Sequence, residues 1–322
     1  MSLSLAQDIK PIALIELSPR LRDYILKSSG DVLRKISGLL HPYKVQFELS
    51  HDGLRPHGDP IAIDLAGRIL EALDRTDLSL PDAMLMQTAH TVIDKALQQD
   101  LAFRLPGLLR PLRPLSLSQT MFVDAVLHDP HDLILGIGPS GVGKTMGAIA
   151  AGLNLLAEGH VNCMILTKPH VLLEGEVMTP AMRAETAKDL QLTVFTDALH
   201  DLIGEERMRH QMEIGEIAVM PLGMLRGRTF NNAFILIDEA QNMNAKKMRM
   251  AVTRAGRDSR LVITGDPDHI DLHDEGASGL AHLLNLVRDR DVAHVHQFER
   301  NTIVRDTLAS RLDALYATQT LD

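Results

Sequence analysis

Tryptophan is absent from the 322 residues, and the aromatic share is only 3%. A broad platform for stacking nucleic-acid bases is therefore not expected, because such platforms are built from aromatic rings. Cysteine is nearly absent too. Cys163 stands alone, which excludes an internal disulfide and a cysteine-built zinc site and fits a reducing cytoplasm. No apolar run approaches the roughly 18 residues that a membrane-spanning helix requires. The opening stretch, MSLSLAQDIKPIALIELS, lacks a basic segment followed by an apolar one, so no secretory leader is expected. Positive charge is not in excess either. The net charge of -9 argues against coating nucleic acid by bulk electrostatics. Residues 1–118 hold 14 basic and 14 acidic side chains, and the remainder holds 19 and 28. Any surface for a polyanion must therefore be local.

What is present is an ordinary globular composition, 45% hydrophobic and 23% charged, on a chain long enough for about two domains. No internal repeat or low-complexity tract is visible. Residues 1–101 read as a small α+β module. Leu21, Tyr24 and Ile25, then Val32, Ile36 and Leu39, recur at helical spacing, and HPYKVQFEL (41–49) alternates like a strand before an Asp52-Gly53 turn. Ile61, Leu65, Ile69 and Leu73 mark one face of a further helix, and Leu85 to Leu97 another. Residues 102–117 read as a linker, interrupted by Pro106, Pro111 and Pro114 and carrying Arg104, Arg110 and Arg113 without a neighbouring acid. Those arginines suit either a solvated connector or contact with a phosphate backbone.

Residues 118–322 change pattern. Apolar runs at 133–137, 162–167, 216–220, 234–238 and 261–264, with a weaker one at 292–296, alternate with helical patterns at 144–157, 245–255 and 277–288. This predicts an α/β domain with a mostly parallel sheet covered on both faces, whose ligands gather at the carboxyl ends of the strands.

The sharpest signal is Gly138-Pro139-Ser140-Gly141-Val142-Gly143-Lys144-Thr145, which follows a strand and opens a helix. Glycines let the backbone wrap a phosphate so that its N–H groups and the helix N-terminus face the anion. Lys144 would reach the outer phosphates, and the Thr145 hydroxyl would hold Mg²⁺. The second signal is FILIDEAQ, an apolar strand ending in two carboxylates. Beside a phosphate loop, Asp238 is expected to hold Mg²⁺ and Glu239 to activate the attacking water. The third is LVITGD, where Thr264 and Asp266 would sense the γ-phosphate or its water. A cation for the developing charge is expected among Arg226, Arg228, Arg300, Arg305 and Arg311, and spacing alone does not choose one.

GPSGVGKT, Thr167-Lys168-Pro169, LRGRTF, FILIDEAQN, VITGD and the closing F-x-x-x-T-I-V-R together resemble the PhoH-like ATPases over roughly Leu115 to Tyr316. The resemblance implies a RecA-like P-loop core related to superfamily 1 helicases, with ATP and Mg²⁺ as ligands. It implies that Gln119 reads the adenine base and that Arg305, seven residues after Phe298, acts as an arginine finger. It further implies an association with RNA, assembly of like subunits into a ring, and a KH-like amino-terminal module, to which 41–75 is similar in part. Lys168 stands where the family more often has arginine, and His269 where a glutamine follows the Gly-Asp pair. No GXXG clamp occurs in residues 1–100.

The expectation is therefore a cytoplasmic, Mg²⁺-dependent ATPase, outside the membrane and self-assembling, with single-stranded RNA as candidate partner. The alternative is a nucleotide-switched assembly protein with slow hydrolysis and no nucleic-acid partner. A small-molecule kinase suits the Asp-Glu-Ala-Gln run less well.

Overall fold

A computed structural model of the chain describes residues 14–40, 45–50, 53–99, 103–169, 193–268 and 278–298. Two compact units emerge, Met1–Ala102 with Arg113–Leu117, and Phe103–Leu112 with Ser118–Asp322.

In the first unit, α1 (Pro19–Lys27) starts at Ser18, whose hydroxyl accepts from Leu21 N, and α2 (Asp31–Leu39) follows Gly30 at φ 74. A hairpin of β1 (Gln46–Leu49) and β2 (Leu54–His57) pairs Phe47 with Pro56 and Leu49 with Leu54. Of the predicted strand (41–49), residues 46–49 form β1, and 41–44 lie outside the described residues. Its partner β2 gave no signal, because four residues with a proline among them are too short and too poor in strand formers to register. Helix α3 (Pro60–Asp74) is capped by Asp59 and packs with α4 (Asp82–Gln99). The four residues read as its apolar face, Ile61, Leu65, Ile69 and Leu73, are all buried.

In the second unit, Phe103–Leu112 closes on itself through Phe103 N to Leu112 O and the reverse bond, both 2.9 Å. Leu109 N donates to Leu202 O at 2.9 Å, and a Cβ on Gly107 would lie 2.4 Å from Leu153 O. This stretch therefore rests on helices of the second unit, while Arg104, Arg110 and Arg113 remain exposed.

The sheet of this unit has six strands, all parallel, in the order β5-β4-β6-β7-β3-β8. They are β3 (Leu133–Ile137), β4 (Cys163–Thr167), β5 (Ile217–Val219), β6 (Ala233–Ile237), β7 (Arg260–Gly265) and β8 (His294–Gln297). Every predicted strand is present within a residue or two. Continuous apolar runs are what a strand buried on both faces demands. One face turns Met164 and Phe234 against Gly152 of α6 (Lys144–Ala157), and Gly136 against Phe122 of α5 (Leu117–His128). The other turns Ile165, Ile235, Ile237 and Ile263 toward α9 (Ala245–Val252) and α10 (Gly279–Val287). Between β4 and β5 lie α7 (Thr193–Ile203) and α8 (Glu205–Glu213). From β3 the chain crosses β7 and β6 to reach β4, so β7 separates the strand that feeds the phosphate loop from the one that delivers Asp238.

Candidate functional site

The carboxyl ends of β3, β6 and β7 bring the three sequence signals to one edge of the sheet. At the end of β3, Gly138 sits at φ 147, where an added Cβ would be 2.6 Å from Phe298 Cβ. Gly141 and Gly143 take φ 84 and 88, left-handed positions that glycine accepts without steric cost. Gly138 N donates to Gly265 O at 3.1 Å, which ties the loop to β7. Pro139, Ser140 and the buried Val142 complete the turn into α6. The Gln119 amide Nε2 donates to Val142 O at 2.9 Å and lies over Gly143, so this residue reaches the phosphate loop from α5.

Lys144 opens α6 and is 9% exposed. Its Nζ arches back over the loop, donating to Gly138 O at 2.6 Å and Pro139 O at 2.7 Å. Beside it, Thr145 Oγ1 donates to Asp238 Oδ2 at 2.8 Å, and Thr264 Oγ1 donates to Asp238 Oδ1 at 2.5 Å. Asp238 is 3% exposed and held from behind by Asp238 N to Thr167 O at 2.9 Å. A buried carboxylate is costly unless a positive charge or several donors compensate it, and here both oxygens accept from neutral hydroxyls. Hydroxyl and carboxylate oxygens side by side are the hard donors that suit Mg²⁺, so Thr145 and Asp238 fit that ion. Among the described residues, no group of three or more His, Cys, Asp or Glu could hold a metal ion.

Glu239 follows at φ 52, a left-handed backbone for a non-glycine residue, and caps a short 3₁₀ turn (Ala240–Asn242). Strain of that kind concentrates at functional positions. Its Oε2 accepts from Gln241 Nε2 at 2.6 Å, and Gln241 Oε1 accepts from Asp266 N at 3.0 Å. The Asp266 side chain accepts from Asp268 N at 3.1 Å, which turns the chain sharply beyond β7.

The family description "PhoH-like protein" matches residues 111–317. PhoH-like proteins of Mycobacterium bovis and Mycobacterium tuberculosis are each 33% identical over 315 residues, covering 94% of this chain and 87% of theirs. The chain belongs to the PhoH-like family. A PhoH-like protein of Bacillus subtilis is 35% identical over 211 residues, 65% of each chain. Among solved structures, a "Sulfolobus solfataricus SWI2/SNF2 ATPase core in complex with dsDNA" aligns at a TM-score of 0.39 and 15% identity. It covers 64% of this chain and 48% of that one. That likeness is loose, and the sheet order described above stands without it. The family and the phosphate loop make this PhoH-like chain a P-loop ATPase.

Of the residues singled out in the PhoH-like sequence, Gln119, Gly138 to Thr145, Asp238, Glu239, Thr264 and Asp266 meet at this edge. Arg228 does not. Its guanidinium lies 5.4 Å over the Phe230 ring with Nη1 3.8 Å from Met220 Sδ, and its carbonyl accepts from Arg254 Nη1. Arg226 is exposed just before it. Arg300, Arg305, Arg311 and His269 lie outside the described residues. Gln241 lies in the same FILIDEAQ run as Asp238 and Glu239. Its signal is spatial, a bridge between two strand ends that no local pattern announces.

Proposed function

We propose that the chain hydrolyses ATP to ADP and phosphate, with Mg²⁺, in a cycle coupled to binding or remodelling single-stranded RNA. The observation that carries this reading is the Thr145–Asp238–Thr264 hydrogen-bonded row lying directly beside Lys144. Lys144 exchanges its bonds to the Gly138 and Pro139 carbonyls for β- and γ-phosphate oxygens. The loop N–H groups and the N-terminus of α6 neutralise further phosphate charge. Thr145 and Asp238 hold Mg²⁺, which when bound screens the phosphate charge. Glu239 accepts the proton of the attacking water, and Thr264 and Asp266 sense the outgoing phosphate from β7. Gln119 selects adenine. Arg305 is the favoured finger, acting in cis or from a neighbouring copy in a homo-oligomeric ring in the cytoplasm. His269 takes the place of the sensing glutamine.

The partner half of the proposal draws on exposed cations of the second unit. Arg226, Arg228, Lys246, Lys247 and Arg249 are exposed and make no salt bridge among the described residues, on a chain of net charge -9. Exposed cations of this kind offer contacts to the phosphates of single-stranded RNA without aromatic rings. ATPase rate with and without single-stranded RNA, across a salt series, tests it. The reading predicts stimulation that fades steeply with salt, with a slope of about -0.7 per phosphate contact. Indifference to RNA at low salt would favour the nucleotide-switched assembly protein instead. In the hydrolysis half, Glu239→Gln is expected to retain ATP and lower turnover by about 10²- to 10⁴-fold. Parent-like turnover in that variant would remove Glu239 from the role of base.

A further inference from the structure

The side chain of Gln241 is 3% exposed and engaged on both sides. Chemistry fixes which way its amide points. The Asp266 backbone N–H can only donate, so the atom it meets at 3.0 Å is Oε1, and Nε2 is left to donate to Glu239 Oε2 at 2.6 Å. The backbone of the glutamine is anchored as well. Its carbonyl accepts from the hydroxyl of Ser278, which precedes α10, at 3.3 Å. Gly265 leaves the slot open, because a Cβ there would stand 2.8 Å from Gln241 Oε1 and 2.6 Å from Leu280 Cδ2. Glu239 itself is exposed and sits on a left-handed backbone, so its carboxylate has little else to fix its direction.

We infer that Gln241 is a positioning residue for hydrolysis: it aims the Glu239 carboxylate and ties that aim to the backbone at the tip of β7. This rests on Glu239 being the base. The same strand end carries Thr264, bonded to Asp238, and donates Asp266 N to the glutamine. A shift of β7's tip toward or away from phosphate is thereby passed to the base through one amide. Gln241 acts through Glu239, and its effect is on orientation.

The full chain and three variants decide it: Gln241→Met, Gln241→Glu and Glu239→Gln. Methionine keeps length and volume but has no N–H for Glu239 and no amide oxygen for Asp266. It is expected to lower kcat about 10- to 100-fold, the loss associated with a hydrogen bond to a charged group. KM and the affinity for a fluorescent ATP analogue should stay within about twofold of the parent. Glutamate keeps the acceptor for Asp266 N–H but sets a second carboxylate against Glu239. Two carboxylates so close repel, which turns the Glu239 carboxylate aside, so this variant too should lose kcat about 10- to 100-fold with KM within about twofold of the parent. Parent-like kcat in both Gln241 variants, with Glu239→Gln inactive, would overturn the inference and leave Glu239 as base. Equal losses of affinity, thermal stability and kcat in both would mark a purely structural role and overturn it too. Parent-like turnover by Glu239→Gln would instead sink the assignment of the base.

Discussion

Asp238 illustrates how few atoms set the chemistry of this site. One carboxylate, 3% exposed, receives a hydroxyl on each oxygen, Thr145 from the phosphate loop and Thr264 from β7. The two hydroxyls are not equivalent in what their loss would cost. Thr264 is fully buried, so Thr264→Val keeps the shape but leaves Asp238 Oδ1 short of its donor. Stranding a buried acceptor costs about 1–3 kcal/mol, and the urea midpoint of the variant should fall accordingly. An unchanged midpoint would mean that the hydroxyl contributes little to holding the carboxylate. Glu239 shows the complementary case of an exposed side chain whose direction depends on a neighbour two residues on.

At the scale of elements, the phosphate loop stands on an aromatic wedge. Phe122 of α5 and Phe298 beyond β8 meet edge-on at 5.3 Å, with His296 4.7 Å from Phe298. Phe298 N donates to Ile137 O at 2.6 Å, just before the loop begins. An alanine at Gly136 would push its Cβ to 2.6 Å from Phe122 Cε2. Such overpacking costs about 1–3 kcal/mol, so Gly136→Ala should lower the melting temperature by several degrees, about 2–4 °C per kcal/mol in a unit of this size. No change would show the wedge to be loosely packed. The sheet was legible because LILGI, CMILT and AFILI are continuous apolar runs, and the phosphate loop because its chemistry is written in consecutive residues. The wedge, the Gln241 bridge and the hold of Phe103–Leu112 were not legible. Each depends on which distant residues become neighbours, and residues such as Ser118 and His296, 178 apart and 2.9 Å from each other, have no local signature. Strand β2 was missed for the opposite reason, since it is too short and too poor in strand formers to register.

Across the whole molecule, two histidine environments set opposite responses to pH. His296 is buried, and burial first, then the nearby His294, pushes its pKa down to about 3 from the ordinary 6.5. The unfolded chain therefore takes up a proton that the folded chain refuses, and stability falls as pH drops through that window, by about 2 kcal/mol between pH 7 and 5. His131 runs the other way. Hydrogen bonds to Asp129 and then Asp291 raise its pKa, so its contribution is complete below the ordinary value and fades as pH rises through the folded one. Urea unfolding of the parent and His296→Gln at pH 7 and 5 separates the two. The parent should lose about 2 kcal/mol that the variant keeps, and identical losses would contradict a neutral buried ring.

The pocket itself is tested most directly by equilibrium titration of ATP, with and without Mg²⁺, onto the parent, Lys144→Ala and Asp238→Asn. The parent should bind more tightly with the ion. Lys144→Ala should bind at least about tenfold more weakly in either condition, as expected when a charge-assisted contact is lost. Asp238→Asn should resemble the parent without the ion and gain nothing when it is added. If Asp238→Asn kept the full gain, or Lys144→Ala bound like the parent, these two side chains would not serve one triphosphate.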